Sequence, residues 1–199
     1  MMKIGPRTAA AFVVCSIISV GAMSAAHAAL ITYSTPLGPE AVGATGSGVV
    51  EIVYDTLAHT LLIDADWSGL SGTTTVAHIH CCTAAPGAGT IGVAVTPVTL
   101  PGFPVGVQAG SYLSPPLDLT ISSTFTAGFI TNFAAGVPDD AEEALIAGFD
   151  NGTAYFNIHT TTFPGGEIRG FLQRVPEPGS LALLGIGLAG LAAMRRRKQ

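Results

Sequence analysis

The 199-residue chain carries thirteen acidic and eight basic residues and is 48% hydrophobic, enough for one domain that buries a core without help from metal or disulfides. Six of the basic residues sit at the two ends, Lys3 and Arg7 in front and Arg195, Arg196, Arg197 and Lys198 behind, while every acidic residue lies between Glu40 and Glu177 alongside only Arg169 and Arg174. Nucleic-acid binding needs clustered Lys and Arg to displace counterions, so this acidic middle excludes nucleic acid as a partner.

Residues 1–28 have the three parts of a secretory signal peptide: Lys3 and Arg7, an apolar run from Thr8 to Ala22, and the small-residue site Ala26-His27-Ala28. Signal peptidase is expected to cut after Ala28. The apolar run is short for the alternative, a retained anchor. Cys15 follows Val14, where a lipid-modified cysteine wants a small residue, so it leaves with the signal. Cys81 and Cys82 are then the only cysteines of an exported protein. Residues 29–45 read as an N-terminal segment ahead of a folded domain predicted over 46–173.

Gly48 to Tyr54 and Thr60 to Trp67 alternate around Asp55-Thr56-Leu57-Ala58-His59 and predict a first hairpin. Ile63, Ala65 and Trp67 share one face; Leu62, Asp64 and Asp66 share the other. Two aspartates on one face suit a calcium ion or acid/base work, but read first as the solvated side of an antiparallel strand. After the loop Ser68 to Gly72, Thr74 to His80 forms a strand that sets His78 and His80 on one side and Ala77 and Ile79 on the other.

Cys81-Cys82 follows at once. Adjacent Cα atoms are about 3.8 Å apart, below the usual disulfide range, so a vicinal bond would be strained and comparatively reducible. Export still favours it over free thiols. An intermolecular bridge and thiolate ligands beside His78 and His80 stay open as alternatives. Gly87, Gly89 and Gly92 have dinucleotide-loop spacing, but a β-branched strand from Ile91 to Val95 follows where that motif needs a helix. Thr96 to Pro116 reads as a long surface loop or irregular edge segment, and Leu117 to Thr120 as a short strand. Ser123 to Phe129 reads as a strand or a turn of helix. From Asp139 to Gly148 the chain has helix-start chemistry, Asp140 as cap answered by Glu143, with Gly148 as the stop. Asn151-Gly152 then signals a turn; its glycosylation-acceptor spelling with Thr153 is read as turn chemistry.

The last hairpin runs from Ala154 to Leu172. Ala154, Phe156 and Ile158 alternate with Tyr155, Asn157 and His159, and beyond Pro164-Gly165-Gly166, Ile168 and Leu172 alternate with Glu167, Arg169 and Phe171. A turn centred on Phe163 sets His159 opposite Glu167 and Asn157 opposite Arg169. Two readings of the polar face follow. His78, His80 and His159 are three nitrogen ligands for a transition metal, with Glu167 as ligand or outer acceptor. Alternatively the histidines tie strands together, with Glu167 and Arg169 as partners of His159 and Asn157 that hold the fold.

The middle of the chain resembles the CHRD domain, found in chordin and in bacterial exported proteins. Ala77-His78-Ile79-His80 with Ala85-Pro86-Gly87, Leu117 to Thr120, Asn157-Ile158-His159-Thr160, and Phe163-Pro164-Gly165-Gly166-Glu167-Ile168-Arg169-Gly170 carry the likeness, over about Gly46 to Leu172. Cys81-Cys82 depart from it, where glycine and proline are expected. The resemblance implies an all-β, immunoglobulin-like or Greek-key antiparallel sandwich, here with one short helix, and in chordin a role in extracellular protein interactions. No catalytic residues come with it.

Val175 to Gln199 resembles the PEP-CTERM sorting signal: Pro176-Glu177-Pro178, fifteen uncharged residues from Ser180 to Met194, then Arg195, Arg196, Arg197 and Lys198. The uncharged run spans roughly 22 Å as a helix, marginal for an anchor, with the basic cluster left on the cytoplasmic side. Apolar helices are thus expected outside the domain at both ends. The resemblance implies transient membrane insertion, recognition by an exosortase, tail removal, and delivery to the cell surface or an extracellular matrix. Two functions stand against each other: a noncatalytic surface module with an exopolysaccharide or surface-protein partner and no cofactor, and a histidine-ligated metalloprotein doing redox or hydrolytic chemistry.

Overall fold

The computed structural model describes residues 29–176 together with Gly187. The signal peptide with Ala26 and Ala28, the sorting residues Glu177, Pro178, Arg195, Arg196 and Arg197, and the expected apolar helices apart from Gly187 lie outside the described residues; Pro176 is described and exposed.

Ten strands make a curled antiparallel sheet folded into a sandwich, as the alternation predicts: β1 (Leu30–Pro39), β2 (Ser47–Asp55), β3 (Thr60–Ser68), β4 (Thr74–His80), β5 (Val93–Val95), β6 (Gly110–Leu113), β7 (Leu117–Asp118), β8 (Tyr155–Thr160), β9 (Ile168–Phe171) and β10 (Gln173–Arg174). Helices α1 (Ala127–Phe133) and α2 (Ala141–Asp150) lie between β7 and β8. The spatial order is β5-β4-β8-β9-β1-β2-β3-β6, with β10 on β1 and β7 on β3.

The first hairpin pairs Asp55 with Thr60 through Ser47 with Ser68. Ile63, Ala65 and Trp67 are buried, and Leu62, Asp64 and Asp66 face solvent. In the last hairpin Ile158 pairs with Ile168 and both are fully buried. Removing such side chains from water stabilises by about 1.5–3 kcal/mol each, and a one-residue slip would expose the whole set.

The N-terminal segment corrects the expected boundary at residue 46. Leu30 to Leu37 pair with Asp55 to Gly48 of β2, and Gly38 and Pro39 pair with Arg169 and Ile168 of β9. On the same edge Tyr33 and Ser34 pair with Arg174 and Gln173. β1 is therefore the strand shared by both layers. Its approach to β9 is close enough that a Cβ on Gly170 would run into the Pro36 carbonyl and the Thr35 side chain.

Three smaller readings are corrected too. The sandwich has two α-helices rather than one, because α1 forms where a strand or single turn was expected. It starts at Thr126, whose hydroxyl accepts from Phe129 N. In α2, Asp140 makes no side-chain cap: a 3₁₀ turn over Pro138–Asp140 already has helical backbone and leads straight into the helix. Gly148 does not stop α2. It sits inside, and a Cβ there would collide with Cys81 Sγ and Cys82 Sγ. The 96–116 segment, by contrast, follows the second of its two expected readings, an edge segment: it includes β6 on the edge of β3.

Candidate metal centre

The register of β4 against β8 builds the site. His78 pairs with Asn157, His80 with Tyr155 and Val76 with His159, and residues directly opposite in an antiparallel pair share a face. All three histidines thus stand on the face away from the core. The segment after β4 folds over that face, leaving His78 7% and His80 8% exposed, while His159 is half-buried.

Each ring has one nitrogen on a backbone carbonyl. His78 Nε2 bonds Val98 O at 2.9 Å, His80 Nδ1 bonds Ile91 O at 2.8 Å, and His159 Nδ1 bonds Pro164 O at 2.8 Å. A carbonyl only accepts, so these three nitrogens carry the protons. The second nitrogen of each neutral ring is then a bare lone pair: His78 Nδ1, His80 Nε2 and His159 Nε2. His78 Nδ1 and His159 Nε2 are 3.3 Å apart, His80 Nε2 is buried without a partner, and one nitrogen of each ring lies within 4.8 Å of the others.

Burial disfavours the protonated form of His78 and His80. Burial lowers the pKa of His78 against the raising effect of its bond to Val98, with His159 lowering it further. Burial takes His80 down to about 4. Three nitrogen donors clustered within 4.8 Å are a set that can hold a cation. A tetrahedral ion with bonds of about 2.0–2.1 Å sets neighbouring nitrogens about 3.3–3.4 Å apart, the spacing of His78 and His159. Outward N–H groups held by carbonyls are the usual orientation of ligating histidines. The residues fit a metal ion, with His80 closing by on the order of 1 Å to complete the set.

The surroundings hold the rings in place. His80 stacks on Tyr155 with centroids 4.6 Å apart and planes 3° from parallel. The Arg169 guanidinium lies over the rings of Tyr155 and Phe171, and donates to Gly89 O at 2.9 Å and Glu40 Oε1 at 3.2 Å. Asn157 Nδ2 donates to Glu40 Oε2. Asn157 and Arg169 are cross-strand partners as expected, joined through a carboxylate that sequence reasoning left outside the domain. Burial raises the pKa of Glu40, and Arg169 opposes the rise.

Glu167 corrects the expected pairing with His159. Gly166, at φ +128°, turns the chain before β9 begins, so Glu167 leaves the alternation and swings inward. It is fully buried and accepts from Thr160 Oγ1 (2.6 Å), Ser71 N (2.5 Å), Ser71 Oγ (2.7 Å) and Gly72 N (3.3 Å). It is neither a ligand nor an acceptor for the histidines. A Cβ on Gly166 would strike the Glu40 carboxylate and the Asn157 amide, whereas Gly165 meets nothing. Cys81 and Cys82 are bonded to each other, and among the described residues the histidine group includes neither.

The missed features are Glu40 and the carbonyls of Ile91, Val98 and Pro164. Glu40 is more than a hundred residues from both its partners, and backbone acceptors carry no sequence signal. Tyr155 was legible as the residue two before Asn157 on the polar face.

No curated protein and no solved structure matches the chain. A family model for the PEP-CTERM protein-sorting motif matches residues 174–198. This is an exported protein, processed by an exosortase from a membrane-anchored precursor and sorted to the cell surface. A family model for the CHRD domain matches residues 28–172, which takes in β1, Glu40 and all three histidines, and the chain belongs to the CHRD-domain family.

Proposed function

We propose that this protein is a noncatalytic cell-surface or extracellular-matrix module that holds one transition-metal ion between His78, His80 and His159, and offers its acidic exterior to an exopolysaccharide or surface-protein partner. One observation carries the metal reading: one nitrogen of each of the three histidines lies within 4.8 Å of the others, and each ring has a nitrogen committed to a carbonyl. An imidazole-only set suits zinc or copper. The ion would cross-link β4 to β8, and through His159 and Pro164 to the turn that leads into β9.

A second reading is favoured by the ligand number. Three histidines leave a coordination position open, the arrangement of hydrolytic and redox centres, and half-buried His159 is the least buried member of the set. Metal quantitation on the purified protein after zinc or copper loading tests the shared premise. One equivalent is expected, and His78→Ala or His80→Ala should weaken binding more than about 100-fold. Well-folded protein that stays metal-free would overturn it.

A further inference from the structure

The chain leaves the sandwich at a definite place. β10 runs antiparallel to β1, Arg174 beside Tyr33, and Val175 N donates to Thr32 O at 2.8 Å. Pro176 therefore emerges next to the first residues of β1. The turn between β2 and β3 lies at the same end, because Leu30 pairs with Asp55 and Thr56 N donates to Ala29 O. Three apolar side chains are exposed there: Leu30 at 57%, Leu57 at 61% and Val175 at 42%.

The sequence says what lies beyond this end. Ser180, where the uncharged run to Met194 begins before the four basic residues, comes only five positions after Val175. Five extended residues reach at most about 18 Å. We infer that in the membrane-anchored precursor the sandwich stands end-on against the bilayer, with Leu30, Leu57 and Val175 touching the lipid surface. Asp55 and Asp118 share that end through their pairing with Leu30 and Thr60, so anionic headgroups do not attract it. The tether holds the contact, and tail removal releases it.

The row of paired residues that includes His78 crosses Asn157 and Arg169 and reaches β1 at Gly38. Gly38 is eight residues from Leu30, about 26 Å along the strand. The histidine face thus stands clear of the membrane.

The test uses the signal-cleaved precursor, residues 29–199 with the C-terminal tail in place and without Cys15, reconstituted in vesicles of phosphatidylethanolamine and phosphatidylglycerol. Leu57→Cys and, as a neighbouring second site, Ala58→Cys carry an environment-sensitive dye, and Val42→Cys in the β1–β2 loop is the distal control. Labelling without reductant leaves the bonded Cys81 and Cys82 unreactive. Dyes at 57 and 58 should shift to the blue and be quenched several-fold more by spin-labelled lipid than the dye at 42. Equal quenching at the two ends, or stronger quenching at 42, would overturn the end-on contact.

Discussion

A fully buried carboxylate is costly unless it is paired, and Glu167 has no basic partner among its hydrogen bonds. Burial works to raise its pKa, but donors from Thr160, Ser71 and Gly72 together outweigh it and hold the group below its ordinary value. Glu167→Gln keeps the shape and puts an amide N–H₂ against donors, so equilibrium urea unfolding should show a loss of about 2 kcal/mol. Because the folded-state pKa is depressed, the stabilisation from Glu167 is present above the ordinary carboxylate range and is lost as pH falls through the folded value. His78 and His80 act at higher pH. Their pKa values are also lowered, that of His80 to about 4, so between about 6.5 and 4 the unfolded chain takes up protons that the folded one refuses. Urea midpoints of chelator-treated protein should therefore decline steadily across that window. A flat profile would show the rings to be more open to water than their burial indicates. Gly148→Ala sets two effects against each other. Alanine favours a helix over glycine by up to about 1 kcal/mol, but here its methyl meets both sulfurs of the Cys81–Cys82 pair, and overpacking of about 1–3 kcal/mol decides the sign as destabilising.

At the level of elements, what the sequence made legible follows from which physics is local. Both hairpins were readable because alternation and turn chemistry are carried by neighbours: Ile63, Ala65 and Trp67 on one face, and Asn157 opposite Arg169. The pairing of His78 and His80 with His159 was readable as a question, since spacing by two gives a shared face but not which strand lies beside it. β1 was not readable. Pro36, Gly38 and Pro39 interrupt its pattern, and two of its partners lie at the far end of the chain. Glu167 defied its alternation because one glycine at positive φ cancels the pleat. Gly166→Ala should accordingly cost about 1–3 kcal/mol through backbone strain alone, with further loss from the Glu40 and Asn157 contacts it would displace. Gly165→Ala next to it, with open space around its Cβ, is the control that should be nearly silent.

For the whole molecule, the metal reading has a global consequence. An ion that binds only the folded chain stabilises it by about 2.7 kcal/mol at a hundredfold excess over its dissociation constant. Zinc or copper should raise the unfolding temperature, chelator should return it, and His80→Ala should be indifferent to both. The shared strand β1 bears on something different, the order in which the protein can be made. Export delivers Tyr33 early and Arg174, its partner, 141 residues later. Pairings this distant in sequence form late, so one edge of β1 stays bare while most of the chain crosses the membrane. That edge fills only when β9 and β10 arrive, and the sorting motif starts in β10 itself. The sandwich is thus completed at the moment its address is presented, and a chain that stalls partway through export leaves an open strand edge in the envelope, available to any other chain with an unpaired strand.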